Sequence, residues 1–220
     1  MHVFCDFDGT ISVVDTTDAV LAGLAAPEWE ALEADWVAGR IDAAACMCGQ
    51  VALIGGSDAE LDAILDKVDV DPGFPAFAAW CAEHDVPLTI VSDGVDRFIK
   101  AILARHGLGD LPVVSNRLAG QAGARKLQQP YRREGCAAGA GVCKCEATGS
   151  RKADAELMVY VGDGRSDFCV SHRADILFAK GALADYVGAR GEAHHVYETF
   201  FEITATLSPL VEARRAAAAL

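Results

Sequence analysis

The stretch FCDFDGTIS, residues 4–12, places two aspartates, Asp6 and Asp8, one residue apart where a short apolar run ends. Carboxylates repel one another and resist burial, so such a pair calls for a compensating partner. Two further runs end in the same manner. IVSDG, residues 90–94, ends in Ser92, Asp93 and Gly94; YVGDGRSD, residues 160–167, carries Asp163 and Asp167. Oxygen donors with no histidine or cysteine among them suit a hard divalent cation, with Mg2+ the default. Such a concentration of acids needs a cation to neutralise it. One aspartate at a run end is more often a helix cap or a solvated loop residue. Three acid-bearing run ends favour one shared site.

The runs themselves dictate the frame that must position these groups. His2–Asp6, Pro87–Ser92, Leu157–Val161 and Asp175–Ala179, with a weaker run at Leu111–Ser115, have the length of buried parallel strands. Helical spacing separates them: Phe74, Phe77, Ala78 and Cys81 in one stretch, Phe98, Ile99, Ile102 and Leu103 in the next. The alternation predicts an α/β fold with a doubly wound, Rossmann-like parallel sheet, whose ligands bind beyond the carboxyl ends of the strands.

Residues 15–70 break this pattern. Thr17–Leu24, Pro27–Val37, Asp42–Ile54 and Asp58–Val68 read as four helices. Ser57 is an N-cap, Pro27 an early helical position, and Gly39 and Gly55-Gly56 are breaks. The expected organisation is a catalytic core of residues 1–14 and 71–220 with an inserted helical bundle of residues 15–70. Residues 116–153 read as irregular, with a flexible Gly-Ala loop around Cys136–Gly141.

Composition narrows the function classes. The 220 residues carry a formal net charge of −13, with 52% hydrophobic and 23% charged residues. That balance argues against nucleic acid as a partner, because a phosphate backbone needs a cationic face. It leaves room for a small anionic substrate in a local positive pocket. The N-terminus lacks a basic signal-peptide start, and no window approaches the length of a membrane helix, so a cytoplasmic protein is expected. Eight cysteines then imply reduced thiols or a metal site. Cys136, Cys143 and Cys145 offer three thiolates to a structural Zn2+, one short of a tetrahedral set; reduced thiols packing the loop are the default. Trp29, Trp36 and Trp80 read as core residues before pocket walls. Nothing in the sequence sets a subunit count.

At this point the motifs resemble a known family. Asp6-Phe-Asp8-Gly-Thr10, Val91-Ser92-Asp93-Gly94 and Gly162-Asp163 through Asp167 are similar, in order and strand context, to the first, second and fourth motifs of haloacid dehalogenase superfamily phosphatases. The inserted bundle resembles the cap of the phosphoserine-phosphatase-like branch. DTTD at 15–18, WVAGRI at 36–41, IVSDG and YVGDGRSD are similar to the methionine-salvage phosphatases that act on 2-hydroxy-3-keto-5-methylthiopentenyl-1-phosphate. The resemblance implies hydrolysis of a small phosphate monoester through an aspartyl-phosphate. Asp6 is then the nucleophile and Asp8 the general acid and base. Mg2+ is held by Asp6, the Asp8 carbonyl, Asp163 and Asp167. Ser92 binds the phosphoryl group, Thr10 braces the loop, and Gly9, Asp93 and Gly94 complete the phosphate site. Asp15 falls where phosphoserine phosphatases carry a glutamate that reads the substrate amine. A lysine must neutralise the phosphoryl group: Lys144 before Lys152, with Lys126 a third candidate.

Phosphoserine, phosphocholine and phosphoethanolamine are alternative substrates under the same resemblance. A reading from another class is a non-catalytic phospho-acceptor module, which also joins an aspartate, acidic ligands and a lysine. Ser92 and the helical bundle fit a phosphatase better.

Overall fold

The structure, a computed structural model, describes residues 1–150 and 157–218. Seven strands, β1 (His2–Cys5), β2 (Leu88–Val95), β3 (Val113–Ala119), β4 (Lys126–Gln128), β5 (Met158–Gly162), β6 (Ile176–Ala179) and β7 (His195–Val196), form one sheet in the order β4-β3-β2-β1-β5-β6-β7. All neighbours are parallel except β3 and β4, which form an antiparallel hairpin. β1 is central, and all four of its residues are buried, on both faces of the sheet. Chain order reverses at β1, so β2 and β5 flank it. A crevice opens there beyond the strands' carboxyl ends.

Between β1 and β2 lie α1 (Thr16–Leu24), α2 (Trp29–Val37), α3 (Ala43–Ala52), α4 (Asp58–Leu65) and α5 (Phe74–Glu83). α6 (Asp96–Arg105) joins β2 to β3. Further on come α7 (Lys144–Gly149), α8 (Phe168–Ser171), α9 (Gly181–Gly188) and α10 (Phe200–Ala218). The four helices expected in residues 15–70 are present, with ends shifted by a few residues. Ser57 caps α4 through a full capping box with Glu60. Pro27 lies in the turn before α2, not inside the helix. The entering and leaving chains pair as an antiparallel bridge between Ser12 and Val70, so residues between them leave and rejoin the core at one neck.

Both layers share one apolar cluster. Val20, Leu21, Val51, Ile54, Leu61 and Leu65 of the helices join Val3, Cys5, Ile90 and Phe98 of the sheet layer. Trp29 and Trp80 pack against this cluster, as expected of core tryptophans. β4 and the full length of α10 are additions to the sequence reading. β4 has only three residues and alternates exposed and half-buried positions, so it lacks the apolar run that marks the central strands. Among the described residues, no helix is long and apolar enough to cross a membrane.

Candidate active site

The first strand delivers Asp6 into the crevice. Its backbone N–H pairs with the Val161 carbonyl of β5, which fixes its position against the neighbouring strand. The Asp6 carboxylate is 5% exposed, accepts the Phe7 N–H at 2.7 Å and pairs with the Lys144 ammonium at 2.9 Å. Lys144 is 1% exposed and opens α7. Its three N–H donors reach Asp6, Asp167 Oδ1 at 2.6 Å and Ser166 Oγ at 2.9 Å. Those two carboxylates hold the Lys144 pKa above the ordinary ammonium value despite burial, which pulls it down. The lysine is therefore a fixed positive charge.

Asp167 is fully buried, and each of its oxygens accepts two donors. Oδ1 takes Lys144 and the Tyr160 hydroxyl, the latter at 2.6 Å; Oδ2 takes the backbone N–H groups of Asp163 and Gly164 at 3.1 Å. Asp163 accepts the Thr10 hydroxyl at 2.8 Å. Gly9 has φ +72°, and a Cβ there would lie 2.5 Å from Asp163 Oδ2. Only glycine permits this turn and this approach together.

Asp6, Asp163 and Asp167 present carboxylate oxygens that all lie within 4.8 Å of one another. Three carboxylates against one ammonium leave an excess of two negative charges, which a divalent cation balances. Desolvation is the largest influence raising Asp6 and Asp163 above the usual carboxylate range, with the neighbouring carboxylates adding to it. The donor set is oxygen only, so the trio fits Mg2+.

Asp8 lines the same crevice and is anchored from the helical side. Its Oδ1 accepts the Thr16 N–H at 2.9 Å and the Thr16 hydroxyl, at the start of α1. Burial, then the charge of Asp15, push its carboxyl well above the usual range. A Cβ on Gly94 would collide with Asp8 Oδ2, so glycine there admits the second carboxylate. Ser92, 1% exposed, accepts the Gly94 N–H at 2.9 Å. Asp93 turns away from the trio. Its Oδ1 accepts Asn116 Nδ2 at 3.0 Å and the Val142 N–H at 2.9 Å, which ties β2 to the chain that leads into Lys144. Asp15 lies at the cavity mouth and caps α1 by accepting the Asp18 N–H.

These groups open into a cavity of about 800 Å3 between the sheet and the helices. Asp15, Asp18 and Glu33 line it, as do Trp36, Ala43 and Met47. Lys126 sits exposed on β4, far from this role, and Lys152 lies outside the described residues. Sequence reasoning missed Thr16, Tyr160, Ser166 and Lys180. Lys180 follows β6 at the start of α9, reaches the Thr10 carbonyl at 3.4 Å and lies over the Tyr197 ring. The one available signal was the polar end of the strand run at 175–179.

Comparison with known proteins agrees with this geometry. The family profile described as haloacid dehalogenase-like hydrolase matches residues 3–172. The chain is 30% identical over 212 residues to a 2-hydroxy-3-keto-5-methylthiopentenyl-1-phosphate phosphatase of Geobacillus thermodenitrificans, covering 94% of this chain and 96% of that one. It is 29% identical over 204 residues to the phosphatase of the same name from Brevibacillus brevis, with 91% and 92% covered. In fold it resembles a substrate-bound phosphoserine phosphatase, with a TM-score of 0.68 at 16% identity over 93% of this chain and 96% of that one. The match over most of its length, with an acidic trio, a buried lysine and a second carboxylate around one crevice, makes this chain a member of the haloacid dehalogenase-like hydrolase family.

Proposed function

We propose that the chain is a Mg2+-dependent phosphatase that hydrolyses a small phosphate monoester through an aspartyl-phosphate on Asp6. The observation that carries this reading is the buried Asp6 carboxylate held by Lys144 at 2.9 Å, with Asp163 and Asp167 beside it. Asp6, the Asp8 carbonyl and Asp163 would hold the cation, with Asp167 acting through water because its oxygens are already engaged. The bound cation would supply charge neutralisation at the phosphoryl group.

Asp6 attacks phosphorus, and the P–O bond to the leaving group breaks. Asp8, whose carboxyl pKa is pushed up by burial and then by Asp15, gives a proton to the departing oxygen. The same carboxylate then takes a proton from water as water attacks the acyl-phosphate, which releases phosphate and restores Asp6. Lys144 and the Ser92 hydroxyl bind phosphoryl oxygens, and Gly9, Thr10 and Gly94 shape the loop around them. Residues 15–70 act as a cap over the core of residues 1–14 and 71–220, excluding water and reading the rest of the substrate.

The favoured ester is 2-hydroxy-3-keto-5-methylthiopentenyl-1-phosphate, the substrate in the relatives' names. Trp36, Ala43 and Met47 supply an apolar wall for a methylthio chain. A second reading rests on Asp15, Asp18 and Glu33 at the same cavity, which suit an ammonium group and so phosphoserine, phosphocholine or phosphoethanolamine. The eight free cysteines support a cytoplasmic setting, since reducing compartments keep thiols unpaired. The thiols around Lys144 support a structural Zn2+ at Cys136, Cys143 and Cys145.

Phosphate release from these four esters, with and without Mg2+, tests the assignment. Mg2+-dependent preference for the enol-phosphate supports the salvage reading; preference for an ammonium ester replaces the substrate and keeps the chemistry. No release from any of them, with a stable acyl-phosphate, would instead indicate a phospho-acceptor module.

A further inference from the structure

The cysteine cluster gains a member that spacing does not reveal. Cys169 follows Asp167 by two residues and opens toward the loop that carries Cys136, Cys143 and Cys145. The thiols of Cys143 and Cys136 influence one another, and so do those of Cys145 and Cys169. The pairs also face each other: Cys143 is close enough to feel Cys169, and Cys145 to feel both Cys136 and Cys143. The Cys145 thiol donates to the Cys169 carbonyl at 3.0 Å, which anchors α7 against α8. All four thiols are free.

We infer that Cys136, Cys143, Cys145 and Cys169 form a tetrathiolate site for a structural Zn2+, completing with Cys169 the three-ligand reading above. Four sulfurs about 2.3 Å from one zinc lie about 3.8 Å from each other. Among the described residues, the carboxylate trio is the one group of such ligands with all atoms within 4.8 Å, so the sulfurs stand as two pairs that zinc would draw together. The connecting segment, Ala137-Ala138-Gly139-Ala140-Gly141, has small side chains that allow this closure. Arg173 donates to the Cys145 carbonyl at 3.2 Å, so positive charge is already placed beside this sulfur cluster.

The placement gives the metal a purpose. Residues 129–143, between β4 and α7, contain no helix or strand, yet they deliver Lys144. Loops of this length inside compact domains are usually tied down for function. A tetrathiolate would join the two segments that present Lys144 and Asp167, one ligand lying on each side of the lysine.

The test is metal analysis of the full chain, purified untagged under reducing conditions without chelator. One zinc per chain is expected. Exchange for Co2+ should give the intense thiolate-to-metal absorption of a tetrahedral sulfur site. Asp163→Asn should keep both, which separates this site from the carboxylate trio, whereas Cys169→Ser should lose most of the zinc and alter the Co2+ spectrum. No zinc and no such spectrum in the wild type, including the case of two disulfides in its place, would overturn the inference and the three-cysteine reading together. Full zinc with an unchanged spectrum in Cys169→Ser would overturn the fourth ligand alone. Because no readout uses a substrate, neither result bears on the phosphatase assignment.

Discussion

Lys144 and Asp167, 23 residues apart in sequence, meet at 2.6 Å with both side chains almost wholly buried. The pair links the helix after the irregular loop to the turn after β5, and its second carboxylate partner is Asp6. A buried ion pair is costly to assemble and more costly to break, because the surviving charge is left without compensation.

Lys144→Met should therefore destabilise the fold by about 3–5 kcal/mol as well as abolish turnover. Denaturant unfolding would show the fall in midpoint. A double variant, Lys144→Met with Asp167→Asn, should recover part of the stability and none of the activity. Equal stability of Lys144→Met and the wild type would contradict the network.

Mg2+ should raise the thermal midpoint of the wild type, by an amount that grows with its concentration over Kd. In Asp163→Asn that response should largely vanish. The metal-free proteins should differ in the opposite direction. Asp163 is raised above its unfolded value of about 3.9, so its folded form holds a proton longer than the unfolded chain. Metal-free stability then falls as pH rises from the unfolded pKa through the folded one. Asn at 163 removes that penalty, so above this window the metal-free variant should match or exceed the wild type. Melting curves across pH with and without Mg2+ check both signs.

Asp8 predicts a leaving-group effect. Asp8→Asn should slow hydrolysis of alkyl phosphates by about 10²–10⁴ and cost less with p-nitrophenyl phosphate, whose leaving group needs no proton in the first step. Turnover of alkyl esters should decline on the alkaline side as Asp8 ionises. Asp15 raises that pKa, so Asp15→Asn should move the alkaline limb to lower pH. A limb that stays in place would remove Asp15 from this role.

Asp93 is expected to act on Lys144 through the backbone. Asp93→Ala leaves the Val142 N–H and Asn116 without their acceptor, a loss of about 1–3 kcal/mol. The turnover number should fall more than KM rises, because the lysine loses its position while the cavity walls remain. Steady-state kinetics of Asp93→Ala and Asp93→Asn separate the two, since asparagine retains an acceptor and should restore part of the rate.

Much of this was legible in the sequence, for physical reasons that can be named. A central parallel strand must be apolar along its length, so β1, β2, β5 and β6 stand out as runs, and their polar ends mark the crevice. The four inserted helices carry caps and glycine breaks that read locally. Other features have no local signature. Tyr160 sits inside an apolar run and reads as core, yet its hydroxyl holds Asp167. Thr16 is an ordinary first residue of a helix until Asp8 is seen to bond it. Cys169 lies 24 residues from Cys145, and only the packing of α7 on α8 brings them together. Asp93 reads as one more active-site acid; the structure turns it toward Val142 and Asn116.

The central claim is that Asp6 carries the phosphoryl group. The most direct measurement is acid-quenched turnover of p-nitrophenyl phosphate by Asp8→Asn, followed by peptide mass analysis. The account predicts one phosphoryl group on the peptide containing Asp6, labile to hydroxylamine and absent from Asp6→Asn. Phosphate release with no such adduct, or turnover surviving in Asp6→Asn, would contradict it.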